Sequence, residues 1–372
     1  MDRQLVEIAK NFSFRGDPVE ATPCSKGHIN DTYVLRCVLT DGGRLRYILQ
    51  RIDHHIFRNP EKMMENIAGV TEHLRRKILL AGGDPRRETL TIIPPRKGGN
   101  FLRTDSGDYW RAYDFIENTH SRDIVENPKQ FYLAGRLLGK FQGLLSDFPI
   151  ERLHETIPDF HNTKKRFEQF ITAVEKDNVN HARRVKDEID FVIRRESDTA
   201  TLVDLIAGGK LSPRVAHNDT KFNNMMIDDA TGECVCLVDL DTVMPGLYLY
   251  DFGDSIRTGA TTAPEDEKNL ARVSMDLGLF EHFTRGYIES AGSFLSDLEL
   301  ELLPRAAKLM TFESGMRFLA DYLNGDIYFK VHRPEHNLDR ARTQFKLVAD
   351  MEEKMDRMIQ TVAEITEAEQ HP

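Results

Sequence analysis

The sequence predicts an α+β chain in two lobes: a small β-rich N-terminal lobe over residues 1–117 and a larger, mostly helical C-terminal lobe over 118–372. Three observations predict it. The first third carries β-type runs around one long helical pattern. Beyond Asn118 the apolar residues recur at three and four positions, the helical period. A short strand–loop–strand segment ending in acidic residues interrupts that helical region. At 372 residues the chain is also long for a single core.

The elements follow in order. Residues 1–11 are charged and helix-like and lack the apolar stretch of a signal peptide. Residues 33–39 and 44–52 are β-type runs separated by Thr40-Asp41-Gly42-Gly43, a hairpin signal. Pro60 opens a helical pattern with Met63, Met64, Ile67, Val70 and Leu74 on one side, stopping at Gly82-Gly83. Strands are expected at 89–93, 100–104 and 109–115, with Trp110 in the core of their sheet. Helices are expected at 131–145, 166–175, 185–195 and 199–206, and later at 265–287, 298–323 and 340–366. Between the two groups lie a strand at 214–216, a short apolar segment at 225–227, a turn at 228–232 and the buried run Cys234-Val235-Cys236-Leu237-Val238.

Composition narrows the function. A net charge of −10 argues against non-specific nucleic-acid binding. No run of about eighteen apolar residues exists to span a membrane. Four cysteines in a chain this long are no disulfide framework, and Cys234 and Cys236 without further ligands make a poor zinc site. Reduced thiols in a cytoplasmic protein, with no protein partner evident, is the expectation.

The interrupting segment carries the chemistry. His217-Asn218-Asp219-Thr220-Lys221-Phe222-Asn223-Asn224 has the H-x-D-x-x-x-x-N spacing of a kinase catalytic loop. Asp219 is the candidate general base, and Asn224 a candidate metal ligand. Asp239, at the end of the apolar run, is the second candidate ligand, because transferring anionic phosphate needs a cation to neutralise charge. Asp241 is a weaker candidate, and Asp251-Phe252-Gly253 lies too far along for the metal role, so Asp251 is expected to brace the loop. Lys26 and Gly27 precede a strand, where a phosphate loop would sit. The strand position that usually holds a phosphate-binding Lys reads Gln50, followed by Arg51, and the two cannot share a face. Lys221 and Lys26 are the alternative cations.

These residues resemble the aminoglycoside phosphotransferase and choline kinase superfamily, and more closely the N-acetylhexosamine 1-kinases. The blocks that carry the closer resemblance are Gly27-His28-Ile29-Asn30, Tyr47-Ile48-Leu49-Gln50, the catalytic loop, 239–246, 251–257 and 315–323. It covers nearly the whole chain. It implies a bilobal protein-kinase-like fold, ATP and Mg²⁺ as cofactors, and transfer to the anomeric hydroxyl of N-acetylglucosamine or N-acetylgalactosamine. It further implies adenine contacts from the backbone around Ile116 and Asn118, and substrate contacts from His28, Arg317, Asp321 and Tyr328. Arg317, Asp321 and Asn324 share a helix face, which reads either as a cleft wall or as a solvated face with an Arg317–Asp321 pair. Two alternatives stand beside this reading: a kinase of the same fold with another small alcohol acceptor, and a regulatory pseudokinase.

Overall fold

The computed structural model describes residues 3–24 and 29–370. The N-terminal part comprises α1 (Arg3–Ala9), β1 (Asp17–Pro23), β2 (Asp31–Val38), β3 (Arg44–Ile52), α2 (Pro60–Leu80), the single turn α3 (Pro85–Glu88), β4 (Leu102–Arg103), β5 (Tyr109–Asp114) and β6 (Thr119–His120). Then come α4 (Pro128–Leu144), α5 (Thr163–Lys176), α6 (Lys186–Ile193), α7 (Val203–Ala207), β7 (Arg214–Ala216), β8 (Met225–Asp228), β9 (Cys234–Leu237) and β10 (Met244–Gly246). Four helices complete the chain: α8 (Tyr248–Gly259), α9 (Leu277–Ala291), α10 (Asp297–Asn324) and α11 (His336–Gln370).

The expected α+β division is present. An antiparallel five-stranded sheet, ordered β1-β2-β3-β5-β4, forms the N-terminal part. One face of it packs with α1 into a core that includes Phe12, Tyr47 and Trp110. The other faces α2, which buries the stripe read from the sequence, Met63, Met64, Ile67, Val70 and Leu74. Pro60 follows the Asn59 cap, whose side chain accepts from the Lys62 amide at 3.3 Å. A shared core runs from α2 through β8 and β9 into α4 and α8–α10. A separate cluster joins α5, α10 and α11.

Several local expectations give way to tertiary context. Residues 89–93 make only an isolated bridge, Ile92 with Tyr113, because Pro94 and Pro95 bring no amide to extend a ladder. The run at 100–104 shrinks to β4. The 265–287 helix begins only at Leu277, capped by Asp276, and residues 261–276 form a loop held by Asp350, which accepts from the Met275 amide at 2.7 Å. The 199–206 helix is a 3₁₀ turn followed by α7. The elements without a counterpart in the sequence analysis include β1, whose alternation is interrupted by a bulge near Pro18, and α8, which carries Asp251. By contrast, α10 runs unbroken through Pro304, opened by a Ser296–Glu299 capping box.

Candidate active site

The catalytic loop leaves β7, turns through residues 217–221 and re-enters a strand as β8. A second loop leaves β9 and returns as β10, which pairs with β7, so both loops emerge side by side. Cross-braces fix them. His217 Nε2 donates to the Val238 carbonyl at 2.9 Å, Thr242 Oγ1 to the His217 carbonyl at 2.8 Å, and Asn218 Nδ2 to the Thr242 carbonyl at 3.0 Å. Asn218 and Asp239 are both left-handed, at φ 63° and 62°, a conformation that Asn and Asp tolerate better than other side chains. Gly246 is required beneath them: a Cβ there would come within 2.6 Å of Asn218 Oδ1.

Asp251 braces the loop as expected. Its carboxylate is fully buried and accepts the backbone amides of His217 at 3.1 Å and Asn218 at 2.7 Å, plus Gln142 Nε2 at 3.0 Å. Asp219 projects beyond this brace. Its Oδ2 lies 3.1 Å from Lys221 Nζ, and Asn224 Nδ2 donates to it at 3.2 Å. Burial works to raise the Asp219 carboxyl, but Lys221 and His217 outweigh it and hold it below the ordinary range. The base form is therefore populated at neutral pH.

Asp239 stands in the opposite condition. Burial first, then the Asp241 and Asp219 carboxylates, push it up to about 6. Such a crowd of carboxylate oxygens fits a hard divalent cation. Asn224, with its amide nitrogen on Asp219, has its amide oxygen to offer. No group of three or more His, Cys, Asp or Glu among the described residues is arranged to hold a metal alone. Two ligands suit Mg²⁺, which is commonly completed by phosphate oxygens and water.

Asp241 is spoken for. Residues 240–242 form a 3₁₀ turn rather than a strand, and Asp241 is buried in an ion pair with Arg111 while accepting from Asn30 Nδ2 at 2.6 Å. Arg111, on β5, is 1% exposed and also donates through Nε to Gln50 Oε1 at 2.9 Å. Gln50 in turn donates to Thr32 Oγ1 at 2.9 Å. Arg51 points the other way, to Asp31 and Asp108. Gln50 thus orients a buried guanidinium.

At the chain crossing, the Ile116 carbonyl accepts from Thr119 Oγ1 at 2.7 Å and the Asn118 carbonyl from the Asp229 amide at 3.0 Å. These bonds tie the connection to the β8–β9 turn. Lys26, Gly27 and His28 lie outside the described residues.

Beside Asp219 opens a cavity of about 420 Å³. Asp219, Lys221, His161, Arg317, Tyr328 and Phe329 are among its walls. Arg317 does not pair with Asp321. Its guanidinium sits over the rings of Phe160, Phe329 and Tyr328 at 5.0, 5.6 and 5.8 Å, with Glu313 3.8 Å away. Asp321 is not brought to the cavity. Its carboxylate turns inward and accepts the amides of Ile327, Tyr328 and Phe329 at 3.0, 2.8 and 2.9 Å, shaping the loop that presents Tyr328. Helical spacing puts Arg317 and Asp321 on one side of α10, but the chain reversal after Gly325 covers Asp321 and leaves Arg317 facing the cavity.

The sequence profile of the phosphotransferase enzyme family (APH) matches residues 20–286, well over half of the chain. The protein belongs to this phosphotransferase family. Solved kinases share its fold. An amicoumacin kinase in complex with AMP-PNP and Ca²⁺ aligns at a TM-score of 0.59, over 95% of this chain and 94% of its own, with 15% identity. A spectinomycin phosphotransferase in complex with ADP and spectinomycin aligns at 0.56, over 99% and 98%, with 16% identity. A choline kinase from Cryptosporidium parvum Iowa II aligns at 0.54, over 96% and 98%, with 15% identity. The fold is thus the bilobal α+β kinase-like fold the sequence implied, and no described helix of the phosphotransferase is long and apolar enough to cross a membrane.

Sequence reasoning missed three groups of this phosphotransferase's site. Arg111 had a signal, a single charge within the aromatic run Tyr109-Trp110-Arg111-Ala112-Tyr113. Glu313, fully buried in α10 after Leu309-Met310-Thr311-Phe312, had the same kind. His161, before α5, had none. One contrast tests the roles of two carboxylates that were read. Asp239→Ala should weaken metal-dependent nucleotide binding and turnover together, whereas Asp251→Ala should lower thermal stability with a smaller change in metal dependence. Titrating Mg²⁺ against both variants checks this, and a metal defect confined to Asp251→Ala reverses the assignment.

Proposed function

We propose that this phosphotransferase is an ATP- and Mg²⁺-dependent kinase that phosphorylates the anomeric C1 hydroxyl of N-acetylhexosamines, with Asp219 as general base. The observation that carries the transfer step is the Asp219 carboxylate, held below its ordinary range by Lys221 and His217, on the wall of a cavity of a size to hold a monosaccharide. Pockets of about 300–1,000 Å³ serve small ligands. Bound Mg²⁺ supplies charge neutralisation at the phosphates, with Asn224 and Asp239 as its protein ligands. Asp219 accepts the hydroxyl proton as that oxygen attacks. Lys221, beside Asp219, offsets negative charge on the incoming phosphoryl group. The backbone around Ile116 and Asn118 is the adenine-facing segment, and Lys26, Gly27 and Gln50 belong to the phosphate end. The division into lobes at residue 117 goes with that placement.

The charge of the cavity supports a neutral acceptor. Its walls carry Lys221, Arg257, Arg317, Lys330 and Arg340 against Asp123, Asp219, Asp254 and Glu265. A cationic aminoglycoside or choline calls for concentrated carboxylates or an aromatic cage without competing cations. Arg317 and Tyr328, with His28, are assigned to the sugar, and Asp321 acts through the loop that carries Tyr328.

A panel of sugars and alcohols with ATP and Mg²⁺, followed by ADP release and by NMR of the product, tests this directly. Phosphate at C1 of an N-acetylhexosamine is expected; preferential phosphorylation of an aminoglycoside or amino alcohol refutes the acceptor. Arg317→Ala should raise the sugar KM about ten- to a hundredfold, the value of a lost charged hydrogen bond, and leave the ATP KM unchanged. An unchanged sugar KM and kcat would return Arg317 to ordinary packing.

A further inference from the structure

Glu313 is a fully buried carboxylate in the middle of α10. Such a group needs a cation or a proton. Its Oε1 is 2.8 Å from His161 Nδ1, whereas Arg317 Nη1 is 3.8 Å away, beyond hydrogen-bond distance. Its Oε2 has no hydrogen-bond partner among the described residues. The other nitrogen of the same imidazole, Nε2, lies 3.2 Å from the Asn218 carbonyl oxygen. The imidazole thus bridges the Glu313 carboxylate and the Asn218 carbonyl through its two ring nitrogens. Tyr250 and Phe160 enclose the ring at 5.0 and 4.5 Å between centroids. Burial works to raise the Glu313 carboxyl, and His161, Arg317 and Arg166 outweigh it and keep it low.

The place where this bridge ends matters. The Asn218 carbonyl belongs to the peptide whose nitrogen is that of Asp219. Asp251 holds the Asn218 amide from one side, and His161 holds its carbonyl from another. Asn218 sits at φ 63°, a conformation that persists only where surroundings over-determine it. At its far end the bridge meets Arg317, which lines the cavity with His161 itself.

We propose that His161, held by Glu313, is a positioning residue that fixes the Asn218–Asp219 peptide and so aims the Asp219 carboxylate at the acceptor hydroxyl. The proposal rests on the reading of Asp219 as the base but not on the acceptor being a sugar. A displacement of about 1 Å at a reacting group can cost on the order of 100-fold in rate. Glu313→Gln keeps the shape and removes the charge. His161→Ala removes the bridge and opens a space that imidazole can enter from the cavity.

The experiment measures kcat and KM for both variants and for the double variant, with the best acceptor of the panel. It also measures acceptor-free ADP release, which decides the matter if no acceptor is found. Expected are a kcat lowered about 10- to 100-fold in each variant, an ATP KM within about twofold of wild type, a double variant no slower than His161→Ala, and partial recovery of His161→Ala by added imidazole. Melting temperatures identify folded variants, and Glu313→Gln carries the test if His161→Ala does not fold. A folded Glu313→Gln with wild-type kcat overturns the proposal. So does a double variant whose losses multiply together with no response to imidazole, the pattern of two unconnected structural contacts.

Discussion

Asp219→Asn is expected to lose about 10²- to 10⁴-fold in turnover, the usual contribution of a positioned general base. Asn keeps the size of the side chain and an oxygen for Lys221 and for the Asn224 amide, so the loop should hold its shape. What it loses is the ability to take a proton. ATP affinity should stay near wild type, because Asp219 faces the cavity proposed for the acceptor. The measurement is steady-state kinetics on the variant alongside nucleotide binding by calorimetry. The pH profile gives a second check. Lys221 and His217 hold the Asp219 carboxyl below its ordinary range against the effect of burial. The ionised form is the active one, so activity should persist as pH falls through the ordinary carboxylate region and fail only below it, as far as Asp219 governs it. If the variant keeps more than about a tenth of wild-type turnover, Asp219 is not the base.

Arg111→Met should produce the largest loss of stability. The guanidinium is 1% exposed and pairs with the equally buried Asp241. Removing one partner of a buried ion pair leaves the other charge without compensation, a loss of about 3–5 kcal/mol. The effect reaches function through two routes. Asp241 lies two residues from Asp239, and without Arg111 the carboxylates at 239 and 241 repel each other with less to offset them. Asn30 also holds Asp241, and its Oδ1 accepts from the Asp53 amide at 3.0 Å, so the same knot joins the N-terminal sheet to the metal-side loop. Denaturant titration of Arg111→Met, Asp241→Leu and the pair measures this. The double variant should recover much of the stability, because two apolar groups replace both charges. A single-variant loss under about 1 kcal/mol would mean that Arg111 and Asp241 are not the buried pair described.

What the sequence determined by itself was the material carried by local spacing. H-x-D-x-x-x-x-N followed by an apolar run and Asp239 picked out the two loops that the structure sets side by side, since those residues neighbour one another along the chain. The stripe on α2 and the hairpin of β2 and β3 were equally legible, because a repeat of three to four or of two residues forces one face to be buried. Alternation placed Gln50 and Arg51 on opposite faces, and the structure has them so.

Tertiary structure alone decided the rest. Whether Arg317 and Asp321 formed a pair, a cleft wall or a solvated face depended on which side of α10 the returning loop covered. Arg111, Asp241 and Asn30 meet from three distant stretches of chain, and His161 reaches Glu313 across 152 positions. No local period records such meetings. A buried charge leaves a trace in sequence as a charged residue among apolar ones, but its partner is chosen by how the helices and sheet close over the site. That closure is set by the shared apolar core from α2 to α10. Folding it is what brings the carboxylates, their cations and the cavity beside Asp219 into one place.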